Sequence, residues 1–266
     1  EKQLKEVSKK YGTDRRTTIV SAADVMTDVN TEEEIPDYQV KLFRTAEGYI
    51  KKISLTALRT SGEQKLKEDD CIIEEVETSN AGEVIFFGGC SAYKMKINDI
   101  PDGKASQLGE FIPNLVGMEE KEDIIGMVLP GDYSAALLFC FENGKCAKVP
   151  LASYATKSNR RCLKGAYSDK SPTVGMFCLT EDTDIMLISS AEKVLCVNTE
   201  KIPLKTTRST QGVAVMTLRR NAVVSRVCLA EDSGFAEPKK YRPRNIPAAG
   251  SAIKDADKGI EQMSFI

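Results

Sequence analysis

Between residues 38 and 235, apolar and polar positions alternate in short runs broken by turns that contain Gly, Asn or Ser. That is the period of half-buried β-strands joined as hairpins. Four runs share one form: an apolar strand, a tight turn, a second strand carrying a basic residue, and an apolar residue that closes it. They are Val40 to Ile53, Ile85 to Ile97, Leu137 to Val149 and Ile185 to Val197. Aligned on Gly48, Ala92, Gly144 and Glu192, they recur at spacings of 44, 52 and 48 residues. A hairpin with one apolar face cannot bury that face alone, so units repeated at this period must stack as propeller blades or a solenoid. Short apolar runs between the hairpins (Asp123 to Leu129, Gly175 to Leu179, Ala222 to Val227) bring each repeat to four strands. The pattern therefore predicts an all-β, propeller-like disc of about four repeats over 38–235. A β-sandwich is the alternative, but it does not require period, turn position and closing residue to agree in four copies.

The ends differ from the repeats. Leu4, Val7 and Tyr11 follow helical spacing and Gly12 is placed to stop the helix, so residues 1–20 begin with a short helix. Residues 21–37 contain Glu32-Glu33-Glu34-Ile35-Pro36-Asp37 and read as an acidic linker, and 236–266 reads as a polar C-terminal tail with an apolar finish.

The 266 residues include 37 Lys and Arg against 39 Asp and Glu, a net charge of −2, and no histidine. None of the eight cysteines forms a Cys-x-x-Cys pair, so zinc sites built on Cys and His spacing are not expected. Most cysteines sit in apolar runs and read as reduced, buried thiols. No stretch of 18 apolar residues is present to span a bilayer. Without histidine, and without a distinctive carboxylate pair, catalysis within the chain is not expected, and no cofactor is called for.

Three segments carry a family resemblance. Lys10 to Thr17 (KYGTDRRT) resembles the end of the breakage-reunion core in the A subunits of bacterial type IIA topoisomerases, DNA gyrase and topoisomerase IV. Thr156 to Arg161 (TKSNRR) and Ser209 to Val213 (STQGV) resemble loops that recur in the C-terminal domains of those proteins. The resemblance covers 1–20 patchily and 38–230 as a repeat. It implies a β-pinwheel, in which neighbouring blades exchange strands, that binds and bends duplex DNA without reading sequence. It further implies a bacterial cytoplasmic, nucleoid-associated parent enzyme whose partner is an ATPase B subunit. The catalytic tyrosine, Mg and ATP would then lie in parts outside this chain. One stretch departs from the family. Gyrase A subunits carry a basic, glycine-rich heptapeptide after the first hairpin, whereas Arg59 to Asp70 here has four acidic residues against three basic and lacks the paired glycines. The resemblance is accordingly to topoisomerase IV more than to a strongly wrapping gyrase.

With DNA as the implied partner, the distribution of charge becomes informative. Residues 38–135 hold 11 basic and 17 acidic residues, a net of −6; residues 136–235 hold 14 and 9, a net of +5. Phosphate neutralisation by Lys and Arg dominates DNA affinity, and screening limits what distant acids cancel. The expected DNA-binding residues are therefore Lys145, Lys148, Lys157, Arg160, Arg161, Lys164, Lys201, Lys205, Arg208, Arg219 and Arg220. The C-terminal Gln262 to Ile266 (QMSFI) resembles the short peptide by which bacterial proteins dock on the replication sliding clamp; the alternative is an apolar tail packed on the domain. The competing function is a propeller that binds protein instead of DNA, suggested by the acidic first half. A sugar- or nucleotide-processing enzyme has less support: there is no His, no Walker-type loop and no Trp.

Overall fold

The computed structural model describes residues 1–12, 36–60, 62–118, 123–156, 161–254 and 257. The chain divides into two units, residues 1–36 and 37–266. In the first, Lys2–Tyr11 forms helix α1 and ends on Lys9 and Lys10, cations that oppose the negative end of the helix dipole. Leu4, Val7 and Tyr11 are exposed along it. Apart from Pro36 and Asp37, the linker expected over 21–37 lies outside the described residues.

The second unit is a four-bladed β-pinwheel, each blade an antiparallel four-stranded sheet. Each blade is founded on one hairpin: β1 (Gln39–Thr45) with β2 (Tyr49–Ser54), β4 (Glu83–Gly88) with β5 (Ser91–Lys96), β8 (Ala136–Phe141) with β9 (Lys145–Pro150), and β12 (Asp184–Ser189) with β13 (Lys193–Asn198). A third strand pairs with the first strand of its own hairpin: β3 (Ile72–Ser79), β7 (Ile124–Val128), β11 (Thr173–Leu179) and β15 (Val224–Leu229). The fourth strand comes from further along the chain. After its own hairpin the chain crosses back to edge the preceding blade, then returns. Thus β6 (Glu110–Phe111) edges β2, β10 (Cys162–Lys164) edges β5, and β14 (Val213–Ala214) edges β9. On β13 this position is taken by β16 (Ser251–Ala252).

The hairpin turns correct one point of the sequence alignment. Gly48, Gly144 and Glu192 occupy equivalent turn positions, all with positive φ. In the second hairpin the turn is Gly89-Cys90, with φ of 55° and 53°, and Ala92 lies inside β5. A two-residue turn with positive φ at both positions matches the strand twist and shifts the equivalent residue to Cys90. Gly144 has a second reason to be glycine: a Cβ there would stand 2.3 Å from the Met216 carbonyl oxygen of the strand-exchange segment.

Strand alternation gives every blade two apolar faces, and the cores lie between blades. Val40, Leu42 and Ile50 of the first blade meet Val84 and Phe86 of the second. Ile85, Phe87 and Ala92 on the other face of the second blade meet Leu137, Phe139 and Val149 of the third. Here Phe87 sits edge-on to Phe139 and Tyr154, at centroid distances of 5.9 and 5.3 Å. Leu138, Cys140 and Cys146 then meet Ile185, Leu187, Leu195 and Val197 of the fourth blade. Each such side chain contributes about 1.5–3 kcal/mol on burial. Tyr241 and Ile253 of the expected tail, with Phe235 just before it, cover the remaining face of blade four, on Met186, Ile188, Val194 and Cys196.

Candidate nucleic-acid interface

Charge segregates by crossover segment, the stretch that leaves a hairpin, edges the preceding blade and returns. The crossover after β5, residues 97–123, holds 2 basic and 7 acidic residues. The crossover after β9, residues 151–172, holds 5 basic and 1 acidic, and that after β13, residues 199–223, again holds 5 and 1. Because β10 edges blade two and β14 edges blade three, these basic segments lie against three blades, not only the last two. Lys164 accordingly belongs to the sheet of blade two, opposite Ser91.

Five of the ten described basic side chains between residues 38 and 135 face a carboxylate. Lys41 pairs with Glu75 at 2.7 Å, Arg44 with Glu74 at 2.5 Å, Lys52 with Asp102 at 3.2 Å, Lys94 with Glu83 at 2.8 Å, and Lys67 with Glu47. Two of these cations share one structural position with a third from the next blade. Lys52, Lys94 and Lys148 each lie four residues after the turn residue, on the strand face turned toward the next blade. Lys52 is 2% exposed and donates to Asn80 Oδ1 at 2.9 Å and the Ile97 carbonyl at 3.3 Å, both in blade two. Lys94 lies 5.3 Å from the ring centroid of Tyr133, on the approach to blade three. Lys148 pairs with Asp182 and donates to the Thr199 carbonyl at 3.3 Å, both in blade four. These lysines are pins between blades. Lys148, expected from sequence at the DNA surface, is engaged in one of them. The Lys148 and Thr199 hydrogen bonds hold the Asp182 carboxyl below its ordinary range, although its desolvation acts the other way.

The remaining expected residues divide by surroundings. Arg161, Lys164, Arg219 and Arg220 are exposed and have no carboxylate within 4 Å among the described residues. Arg220 sits at positive φ in the turn that Ala222 N–H closes onto the Arg219 carbonyl. Lys145 is half-buried and donates to Gln211 Oε1 at 3.2 Å. Lys205 is half-buried, its backbone N–H bonded to the Lys148 carbonyl at 2.7 Å. Arg208 donates to the Ser153 carbonyl at 3.2 Å and lies 5.9 Å above the Tyr154 ring. Burial pushes the Tyr154 phenol well up, and the Arg208 guanidinium draws it partly back. Lys201 donates to the Pro243 and Arg244 carbonyls, both at 3.5 Å, which turns it toward the C-terminal segment. Lys157 and Arg160 lie outside the described residues, as does the Gln262 to Ile266 peptide.

Sequence reasoning passed over three cations. Lys193 lines a cavity of about 250 Å³ together with Arg219. Lys170 is exposed beside the return to β11. Arg226, on β15, has a buried Nη1 without a hydrogen-bond partner among the described residues. Lys193 had a visible signal, since it starts β13 where Lys145 starts β9.

The geometry is thus a disc in which Arg161, Lys164, Arg219 and Arg220 lie exposed on the crossovers after β9 and β13, and Asp99, Asp102, Glu110 and Asp123 on the crossover after β5. No family model matches the chain. In sequence it is 24% identical over 207 residues to the A subunit of DNA topoisomerase 4 from Staphylococcus aureus, covering 75% of this chain and 26% of that protein. The chain therefore spans about a quarter of the length of the curated relatives it matches. In fold it is similar to a solved C-terminal domain of DNA topoisomerase IV, with a TM-score of 0.65, 20% identity and coverage of 73% of this chain and 62% of that one. The E. coli ParC C-terminal domain superposes with a TM-score of 0.62 at 12% identity, covering 82% and 95% of the two chains. The DNA gyrase A C-terminal domain gives 0.51 at 17% identity, covering 80% and 76%.

Proposed function

We propose that this pinwheel is the C-terminal, DNA-handling domain of a topoisomerase IV-like enzyme's A subunit. On this reading it binds and bends duplex DNA without reading its sequence. The observation that carries the reading is the contrast between neutralised and free cations. Of the ten described cations between residues 38 and 135, five pair with a carboxylate, whereas of the twelve between 136 and 235 only Lys148 does, and Arg161, Lys164, Arg219 and Arg220 lie exposed on the two basic crossovers. Free cations on rigid edges suit a regularly spaced polyanion, because phosphate contacts fix position and supply affinity while carrying no sequence information. Selectivity then comes from how readily a duplex bends across the crossovers.

The domain contributes positioning and no chemistry of its own. The parent would be an ATP-dependent type II topoisomerase partnered by an ATPase B subunit, with the cutting tyrosine, Mg and ATP held in parts beyond this chain. The test is duplex binding with salt varied. Log affinity should fall linearly with log salt, by about 0.9 per phosphate neutralised. Dyes at the two ends of a duplex of about 30 base pairs should approach one another on binding. Binding that ignores salt, or a duplex that stays straight, would overturn the proposal. A second reading, a protein-binding propeller, is favoured by the acidic crossover at 97–123. Salt-insensitive capture of a basic protein with no duplex binding would establish it instead.

A further inference from the structure

Blade four has no following blade, yet each place where a following blade would act is filled. In blades one to three, the second strand of the hairpin is edged by β6, β10 or β14, each drawn from the chain beyond the next hairpin. In blade four, the C-terminal segment supplies β16, with Ser251 opposite Val194 and Ala252 opposite Lys193. The pin is replaced as well. At the position of Lys52, Lys94 and Lys148, blade four carries Cys196, and the cation is Arg242 from the C-terminal segment. Arg242 pairs with Asp184, the first residue of β12, as Lys94 pairs with Glu83, the first residue of β4. The apolar face is covered in the same way, with Phe235 and Tyr241 packed edge to face at 5.4 Å over Met186, Ile188, Val194 and Cys196. One carboxylate ties the segment together. Asp257, 5% exposed, accepts from Tyr241 Oη at 2.5 Å and from Ala236 N–H at 3.1 Å.

We infer that residues 231–254, with Asp257, are a surrogate fifth blade, and that the face they cover is a blade-binding surface which takes a second copy of the chain when the segment is displaced. Once the segment is gone, that face presents a free strand edge, an apolar surface and the Asp184 carboxylate, without its Arg242 partner and held by Asn198 alone among the described residues. In each of the three joints of the disc this face packs against the opposite face of the next blade, so its apolar surface suits a blade of this sequence. Two uncapped fourth blades are the simplest partners, since an isologous contact closes on itself and stops at a dimer. The reading does not depend on DNA binding.

Native cysteines report the result. Cys196 lies under the C-terminal segment, while Cys140 and Cys146 are buried in the joint of blades three and four. The full chain carrying Tyr241→Ala and Arg242→Ala would be alkylated with N-ethylmaleimide and its mass in solution followed with concentration. A chain ending at Ala230 would be treated alike. At low concentration, Cys196 should alkylate about tenfold or more faster in the double variant, matching some 1.4 kcal/mol of lost protection, with Cys140 and Cys146 unchanged. At high concentration, both variants should dimerise and Cys196 should be protected again. Reactive Cys196 in a protein monomeric at every concentration would overturn the self-association surface. Unchanged protection of Cys196 in the double variant would overturn the displaceable cap. If all three cysteines became reactive together, the segment would be an integral part of blade four, and the surrogate-blade reading would fail.

Discussion

Lys52 in the first blade is 2% exposed and is held by Asn80, the Ile97 carbonyl and Asp102. Arg219, on the last crossover, is exposed and meets no carboxylate among the described residues. Each adds one unit to the charge count, but the two cations do different work. The first half of the pinwheel uses its lysines mainly to fasten strands and blades together. The second half, residues 136–235, pairs only Lys148 of its twelve described cations with a carboxylate. A net charge of −2 is consequently a poor guide to binding, because paired and free cations contribute equally to the sum.

The largest effect is expected where a cation is most deeply engaged. Lys52→Met leaves the Asn80 side chain and the Ile97 carbonyl without their donor, and should lower unfolding free energy in urea by about 2–4 kcal/mol. Its effect on the salt slope of duplex binding should be nil. Gly212→Ala is expected to destabilise by a similar amount, because φ is +69° and the new Cβ would stand 1.9 Å from the Cys146 carbonyl oxygen. Arg219→Glu with Arg220→Glu should act in the opposite sense, weakening duplex binding roughly tenfold and reducing the salt slope by about 2, with the urea midpoint nearly unchanged. If that double variant destabilises instead of weakening binding, the division between the halves is wrong.

Lys148→Met sharpens the comparison, since the residue lies in the basic half yet serves as a pin. About 1–2 kcal/mol of stability should be lost, with duplex affinity changed less than twofold. The same pin makes a small acid-sensitive contribution. The folded Asp182 pKa lies below its unfolded value, so the stabilisation is present at neutral pH and is lost as pH falls below about 4 toward that lowered value. Asp182→Asn should flatten this part of a stability-against-pH curve. The smallest effect is expected for Lys41→Ala: its pair with Glu75 is partly solvated, and urea unfolding should shift by less than about 0.5 kcal/mol.

The blades are legible in the sequence because each rests on a local hairpin whose alternation and turn lie within about fifteen residues. The strand exchange is not legible from the residues themselves. Two-residue strands such as β6, β14 and β16 are too short to carry a period, and their partners lie tens of residues away. Of the cations, Arg219 and Lys145 cannot be separated from Lys148 by composition, since all three lie in one basic stretch. Position separates them: a lysine four residues after the turn in three of four repeats marks a repeated structural contact. Aligning the second hairpin on Ala92 instead of Cys90 puts the exposed Lys96 at this position in place of Lys94.

Strand exchange has a consequence for how the disc comes apart. In a simple repeat array, a terminal unit can fray while the rest persists, and stability is close to a sum over units. Here the first blade is completed by β6, which is anchored on either side in the second, and the second is completed by β10 from the third. Melting the second, third or fourth blade removes an edge strand from the blade before it, so local losses spread. The pinwheel should therefore unfold in one sharp transition despite being built of four similar parts.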